Sequence, residues 1–257
     1  MTLPHHQPIP ALLVSPDAAQ KLRAEAGRLP GWVLTDWQLA DLVLLLGGGL
    51  FPLRGFLPQA DCDSVQARMR LGSGALWPLP LALEVGEDFA RTVEPGDDIA
   101  LCGPDGAPLA ILSVTDKWRP AAGAGGTDDP HPGLRKAAPV CLGGPVKGLA
   151  LPERSGRSPN DWRAQFRAQD SRRVLGCHPV DEDLARPLAA RMGAELLVVA
   201  RPLRPAGPRE TILQALVHRN HGATHLLLPA DPAARALLLQ YRDEIGLDLI
   251  ERQDATP

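Results

Sequence analysis

The amino-acid sequence predicts an α+β chain in two parts, a β-rich first half followed by an α/β half built on a parallel sheet. Three observations predict it. Short apolar runs alternate with turn tetrapeptides from Leu76 to Val114; the stretch Glu153-Arg154-Ser155-Gly156-Arg157-Ser158 has no apolar side chain to bury; and beyond it apolar runs alternate with amphipathic ones. The first pattern is that of strands joined by tight turns. The last is that of parallel strands covered on both faces by helices.

In chain order, Asp36 to Leu46 reads as a helix, with Thr35 or Asp36 as its cap and the glycines Gly47, Gly48 and Gly49 as its stop. Leu79 to Val85, Ile99 to Cys102 and Leu109 to Val114 read as strands, punctuated by Glu94-Pro95-Gly96-Asp97 and Gly103-Pro104-Asp105-Gly106. Ala121 to Pro132, rich in Gly, Asp and Pro, reads as a surface loop. The composition shift from Pro152 to Pro159 places a boundary, so that residues 1–152 form one domain and 153–257 a second. The second half then runs helix Asn160 to Ala168, strand Arg173 to Gly176, helix Asp181 to Met192, strand Glu195 to Ala200, helix Pro208 to His221 and strand Thr224 to Leu228. Helix Pro232 to Ile245 and a short strand, Asp248 to Ile250, complete it.

Composition excludes several classes of function. With 257 residues, 44% hydrophobic and 22% charged, the chain can bury a sizeable core. Its longest apolar stretch, Leu42 to Phe51, is broken by glycines and is far shorter than the roughly 20 residues a membrane span needs. Met1 to Pro10 does not read as a secretory leader. Cys62, Cys102, Cys141 and Cys177 form no CxxC pair and no disulfide framework, which points to a reducing cytoplasm. A net charge of −3 argues against nucleic acid as a partner, because phosphate neutralisation needs a clustered basic excess.

Several blocks resemble the ATP sulfurylase (sulfate adenylyltransferase) family. They are Trp37-Gln38-Leu39-Ala40-Asp41-Leu42, Leu44-Leu45-Leu46-Gly47-Gly48-Gly49, Pro52-Leu53-Arg54-Gly55-Phe56-Leu57, Met69-Arg70-Leu71 and Leu76-Trp77-Pro78-Leu79-Pro80. Further along come Gly126-Thr127-Asp128, His131-Pro132-Gly133, Gly143-Gly144-Pro145-Val146, Ala206-Gly207-Pro208-Arg209-Glu210 and Arg219-Asn220-His221-Gly222-Ala223-Thr224-His225. The resemblance implies a PUA-like β-barrel domain followed by a Rossmann-like nucleotidyltransferase domain, here shortened. It also implies a reaction in which a sulfate oxygen attacks the α-phosphate of ATP, releasing pyrophosphate.

Two catalytic loops depart from the family pattern. Where the family carries Gln-x-Arg-Asn-Pro-x-His-x-x-His, this chain has Leu175-Gly176-Cys177-His178-Pro179-Val180-Asp181-Glu182-Asp183-Leu184. Cys177 thus stands for the arginine, His178 for the asparagine, and Asp181 and Leu184 for the two histidines. The family's Gly-Arg-Asp-His-Ala-Gly turn is replaced by Pro229-Ala230-Asp231-Pro232-Ala233-Ala234. Carboxylates in a helix's first turn repel a polyphosphate, and prolines remove amide donors.

Arg204, Gly207, Arg209 and His225 are the residual candidates for anion or nucleotide binding, with Arg201 beside them. His218, His221 and His225 lack clean zinc-ligand spacing, and no metal is expected. Cys177 reads as core rather than as a thiolate paired with His178, and Asp181-Glu182-Asp183 as a helix cap rather than a magnesium site. The five tryptophans read as packing residues.

The sequence therefore reads as an ATP sulfurylase-like protein of sulfate activation, a structural or regulatory companion without sulfurylase activity. Its expected partners are a full-length ATP sulfurylase, an adenylylsulfate kinase or further copies of itself. ATP and Mg²⁺ would be cofactors only if activity is retained. One alternative is an altered nucleotidyltransferase using Arg204, Arg209 and His225; a second, by fold analogy, is an RNA-binding PUA-like module.

Overall fold

The computed structural model describes residues 3–120, 140–152, 156–200 and 207–252. The chain divides into two compact units. One comprises Ala11–Gly47 and Phe51–Gly156, the other Arg157–Pro257 together with Met1–Pro10 and Gly48–Leu50. This differs from a division into 1–152 and 153–257 mainly by two short N-terminal segments, which go with the second half.

The first unit contains α1 (Pro16–Ala26), β1 (Gly31–Val33), α2 (Asp36–Gly47), β2 (Gly55–Phe56), α3 (Gln59–Arg68), β3 (Leu83–Val85), α4 (Glu87–Ala90), β4 (Asp98–Cys102), β5 (Pro108–Ser113), β6 (Asp116–Trp118) and β7 (Val140–Gly148). Helix α2 begins at Thr35, which settles the choice between the two caps. Its hydroxyl accepts from Gln38 N at 3.3 Å while Gln38 Oε1 accepts from Thr35 N at 3.1 Å, a reciprocal capping box. The strands form one mixed sheet in the order β1-β4-β5-β7-β2, with β3 and β6 also paired to β7.

Strand β7 organises this sheet by changing partners along its length. Val140–Leu142 faces β3, Gly144 and Pro145 face β2, and Val146–Gly148 faces β5. The switch depends on Gly144, where a Cβ would come within 2.0 Å of Ser113 O, and on Gly55, where one would come within 2.0 Å of Gly144 O. The expected strand Leu79–Val85 shrinks to β3, because Pro78 and Pro80 break the ladder before it. A core of Ala26, Ala100, Cys102, Ile111 and Leu149 lies in this unit. The expected loop Ala121 to Pro132 and the motifs at 126–128 and 131–133 lie outside the described residues.

The second unit contains α5 (Pro159–Ala168), β8 (Val174–Cys177), α6 (Glu182–Met192), β9 (Glu195–Val198), α7 (Arg209–His221), β10 (His225–Leu227), α8 (Pro232–Gln240), α9 (Arg242–Ile245) and β11 (Asp248–Ile250). Its four strands are all parallel, in the order β11-β10-β8-β9. The α/β alternation expected from the sequence is therefore realised. One expected element is divided: Pro232 to Ile245 is two helices, broken at Tyr241, whose φ of −106° and ψ of 13° leave the helical region.

Alternation along β8 builds a two-faced core. Leu175 and Cys177 pack with Ala185, Leu188 and Ala189 of α6, whereas Gly176, on the opposite face, lies against His218 of α7. Among the described residues no helix is long and apolar enough to cross a membrane.

Candidate functional site

In open α/β sheets, ligands bind beyond the carboxyl ends of the strands, where successive connections leave in opposite directions. Here β8 connects to β9 on one side and has β10 as its neighbour on the other, so the crevice lies between the ends of β8 and β10. Two loops emerge at this point. The segment from Cys177 to Leu184 follows β8, and Pro229 to Ala234 follows β10.

The chain's own groups already engage one another at this edge. Cys177 is buried, and burial, with Asp181 and Glu182 adding, pushes its thiol up to about 12, so it is no thiolate nucleophile near neutral pH. His178 begins a short 3₁₀ turn, Pro179–Asp181, and its Nδ1 accepts from Val180 N at 3.3 Å. Leu184 packs against the α6 core.

The expectation that Asp181-Glu182-Asp183 caps α6 holds by position, with Glu182 and Asp183 in the first turn, and needs correction only for the Asp181 side chain. Asp181 holds the N-cap position but its side chain makes no capping hydrogen bond. It instead accepts from Arg252 Nη1 at 2.9 Å, both side chains being about three-quarters buried. Glu182 pairs with Arg186 one turn on. In the second loop, Asp231 caps α8 by accepting from Ala234 N at 2.8 Å, with Pro232 at the first helical position and Ala230 exposed. Arg235, in the same first turn, pairs with Glu251 at 3.2 Å.

Among the described residues, the residual candidates Gly207 and Arg209 stand at the opposite end of α7 from His225. Arg201 and Arg204 lie outside the described residues. Gly207, exposed with φ +62°, and Arg209 stand at the start of α7. His225 begins β10, beyond the other end of that helix, whose 13 residues span roughly 18 Å. His225 Nδ1 lies 2.7 Å from Thr224 Oγ1, and its Nε2 is 3.7 Å from Asp248. His218 places its ring nitrogens 2.8 Å from Gln214 O and 3.0 Å from Cys177 O, and His221 bonds Val217 O at 2.8 Å. His218 and His221 thus serve separate backbone contacts, and His225 meets two side chains. Among the described residues no three His, Cys, Asp or Glu side chains are grouped to hold a metal ion.

Three residues that organise this unit were missed by reasoning from sequence. Gly176 is one: a Cβ there would meet the His218 ring at 2.7 Å. Arg163 is another, a buried guanidinium that bonds the last carbonyls of α7. Arg252 is the third, and it carried a legible signal, since it directly follows an apolar strand and Glu251 in an α/β pattern whose ligand edge is the carboxyl one.

Among the described residues, the donor set of these two loops does not fit an ATP–Mg²⁺ pair. Where a polyphosphate would need amides and cations, the loops offer Asp181, Asp183 and Asp231, the N–H-less Pro229 and Pro232, and the buried thiol of Cys177. Arg186 and Arg235, beside these loops in sequence, and Arg252, which reaches Asp181, all face carboxylates.

Comparison with known proteins agrees with the two-part fold. Residues 2–151 match the family model for a PUA-like domain, and residues 184–245 match that for ATP-sulfurylase. The sulfate adenylyltransferase of Symbiobacterium thermophilum is 33% identical, over 84% of this chain and 69% of its own length. That of Eremothecium gossypii is 30% identical, over 93% of this chain and 63% of its own length. The probable bifunctional SAT/APS kinase 2 of Sorangium cellulosum is 29% identical, over 84% of this chain and 47% of its own length. Among solved structures, the hexameric APS kinase from Thiobacillus denitrificans superposes with a TM-score of 0.76 at 24% identity, covering 95% of this chain and 55% of its own. The chain thus spans less than two thirds of the length of several relatives it matches.

Proposed function

The chain belongs to the ATP-sulfurylase (sulfate adenylyltransferase) family, and from that premise we propose that it keeps the family's fold without its sulfurylase chemistry, acting in the cytoplasm as a structural or regulatory companion in sulfate activation. One observation carries the reading: at the switch point between β8 and β10, Asp181 and Asp231 are committed to intramolecular bonds where a nucleotide's phosphates would need donors. Attack of sulfate on an α-phosphate brings two anions together, and such a step depends on positioning and on cationic or amide stabilisation of the oxygens. The replaced loops supply neither.

The partner this reading favours is a catalytically complete sulfate adenylyltransferase or an adenylylsulfate kinase. A relative named as a bifunctional SAT/APS kinase and a structural neighbour titled as a hexameric APS kinase support that choice. The four cysteines, all buried and free, suit a reducing compartment. The test is a coupled assay for sulfate-dependent pyrophosphate release from ATP. The expected result is no release above background at saturating sulfate and Mg²⁺, and turnover at ordinary enzyme rates would overturn the reading.

A further inference from the structure

The carboxyl edge of the parallel sheet carries one contact that the loss of a nucleotide site does not require. Asp181 lies in the loop after β8 and Arg252 just after β11, 71 positions apart in sequence, and β10 runs between those two strands. Their bond therefore crosses the end of β10, over the crevice itself, and the same Nη1 comes within 3.4 Å of Leu228 O. Arg252 is held from its own side as well, because its neighbour Glu251 is pinned to Arg235 of α8.

Asp181 gives up its local option to make this bond. Aspartate at an N-cap ordinarily accepts from the amides of the helix it begins, and Asp231 does so at α8. Asp181 instead leaves the α6 amides and reaches across to the guanidinium. A carboxylate on a guanidinium uses the same charge-assisted donor geometry as an oxyanion would.

We propose that the Asp181–Arg252 pair is an autoinhibitory latch: the Asp181 carboxylate occupies the oxyanion-accepting face of Arg252 and straps the switch point shut. An oxyanion and Asp181 then compete for one guanidinium, so removing the carboxylate's charge exposes a cation that the native chain keeps to itself. The proposal rests on the switch point having lost its nucleotide site, and it adds that one anion contact survives there in a closed form.

The test is calorimetric titration of inorganic pyrophosphate into the full chain and three variants, each verified as folded by circular dichroism. Asp181→Asn is expected to bind pyrophosphate roughly tenfold more tightly than the native chain, a typical strength for coupling between two competing contacts. Asp181→Glu, which keeps a carboxylate, is expected to match the native chain. The double variant Asp181→Asn with Arg252→Gln is expected to lose the gain. Should Asp181→Asn fail to fold, Asp181→Ser takes its place with the same expectation. Equal affinities of the native chain and the charge-removed variant overturn the latch, as does a gain that survives loss of Arg252. Pyrophosphate release by the native chain would sink the functional reading while leaving this comparison between variants intact, so the two failures are separable.

Discussion

At the amino edge of the four-stranded parallel sheet, a buried arginine reaches backbone carbonyls far away in sequence; at its carboxyl edge, arginines pair with carboxylates. Arg163 of α5 donates to Asn220 O at 2.7 Å, Arg219 O at 3.2 Å and Gln7 O at 2.8 Å, and also to Pro4 O. Asn160 clasps Ile9 through its side-chain amide, Oδ1 accepting from Ile9 N at 2.9 Å and Nδ2 donating to Ile9 O at 3.0 Å, and Arg167 donates to His5 O at 2.8 Å. These contacts draw the first ten residues into the second unit. The carboxyl edge has Arg252 on Asp181 and Arg235 on Glu251, pairs of partly exposed charges. A buried donor that satisfies several backbone acceptors cannot be removed without stranding them. A partly exposed ion pair contributes far less, because water replaces either partner. The amino edge is thus built for stability, whereas the carboxyl edge carries contacts that can be exchanged.

Arg163→Ala puts the largest strain on this contrast. It strands carbonyls at the end of α7 and in the N-terminal segment, and should cost about 3 kcal/mol in urea unfolding. A loss below about 1 kcal/mol would place the two edges on a par.

Acid should sharpen the same contrast. His221 is buried, and burial lowers it to about 4, while His5 and His218 are lowered for the same reason. Each remains neutral in the folded chain at a pH where the unfolded chain binds a proton. Their stabilisation is therefore complete above the ordinary histidine value of about 6.5 and is lost as pH falls below it, for His221 down towards about 4. Unfolding free energy should drop by about 2 kcal/mol from His221 alone between pH 7 and pH 5. His221→Gln should flatten that dependence in urea titrations at the two pH values.

The smallest expected effect lies at the other edge. Asp231→Ala removes the α8 cap and should cost about 1 kcal/mol. Thermal unfolding measured beside Arg163→Ala would rank the two edges directly.

Much of this was written in local sequence. Apolar runs separated by amphipathic ones declared the parallel strands of the second half, and Thr35 or Asp36 with the glycines from Gly47 declared the bounds of α2, because these signals act between residues a few positions apart. Other features were hidden for the converse reason. Strand β7 follows a segment with no apolar rhythm, and its glycines make sense only against Ser113 and Gly55. Arg163 reads as one arginine among many until α7 ends beside it. The split of the last long helix at Tyr241 left no proline or glycine to announce it.

By itself, then, the sequence determined the family and the two-part architecture, since each is carried by residue types at short spacing. Only the tertiary structure decided what the residues after β8 and β10 do. Asp181 could cap its own helix or cross to another strand, and a one-dimensional pattern treats the two alike. The order of strands places Arg252 within 2.9 Å of it, and charge–charge contacts depend on distance in space rather than on separation along the chain.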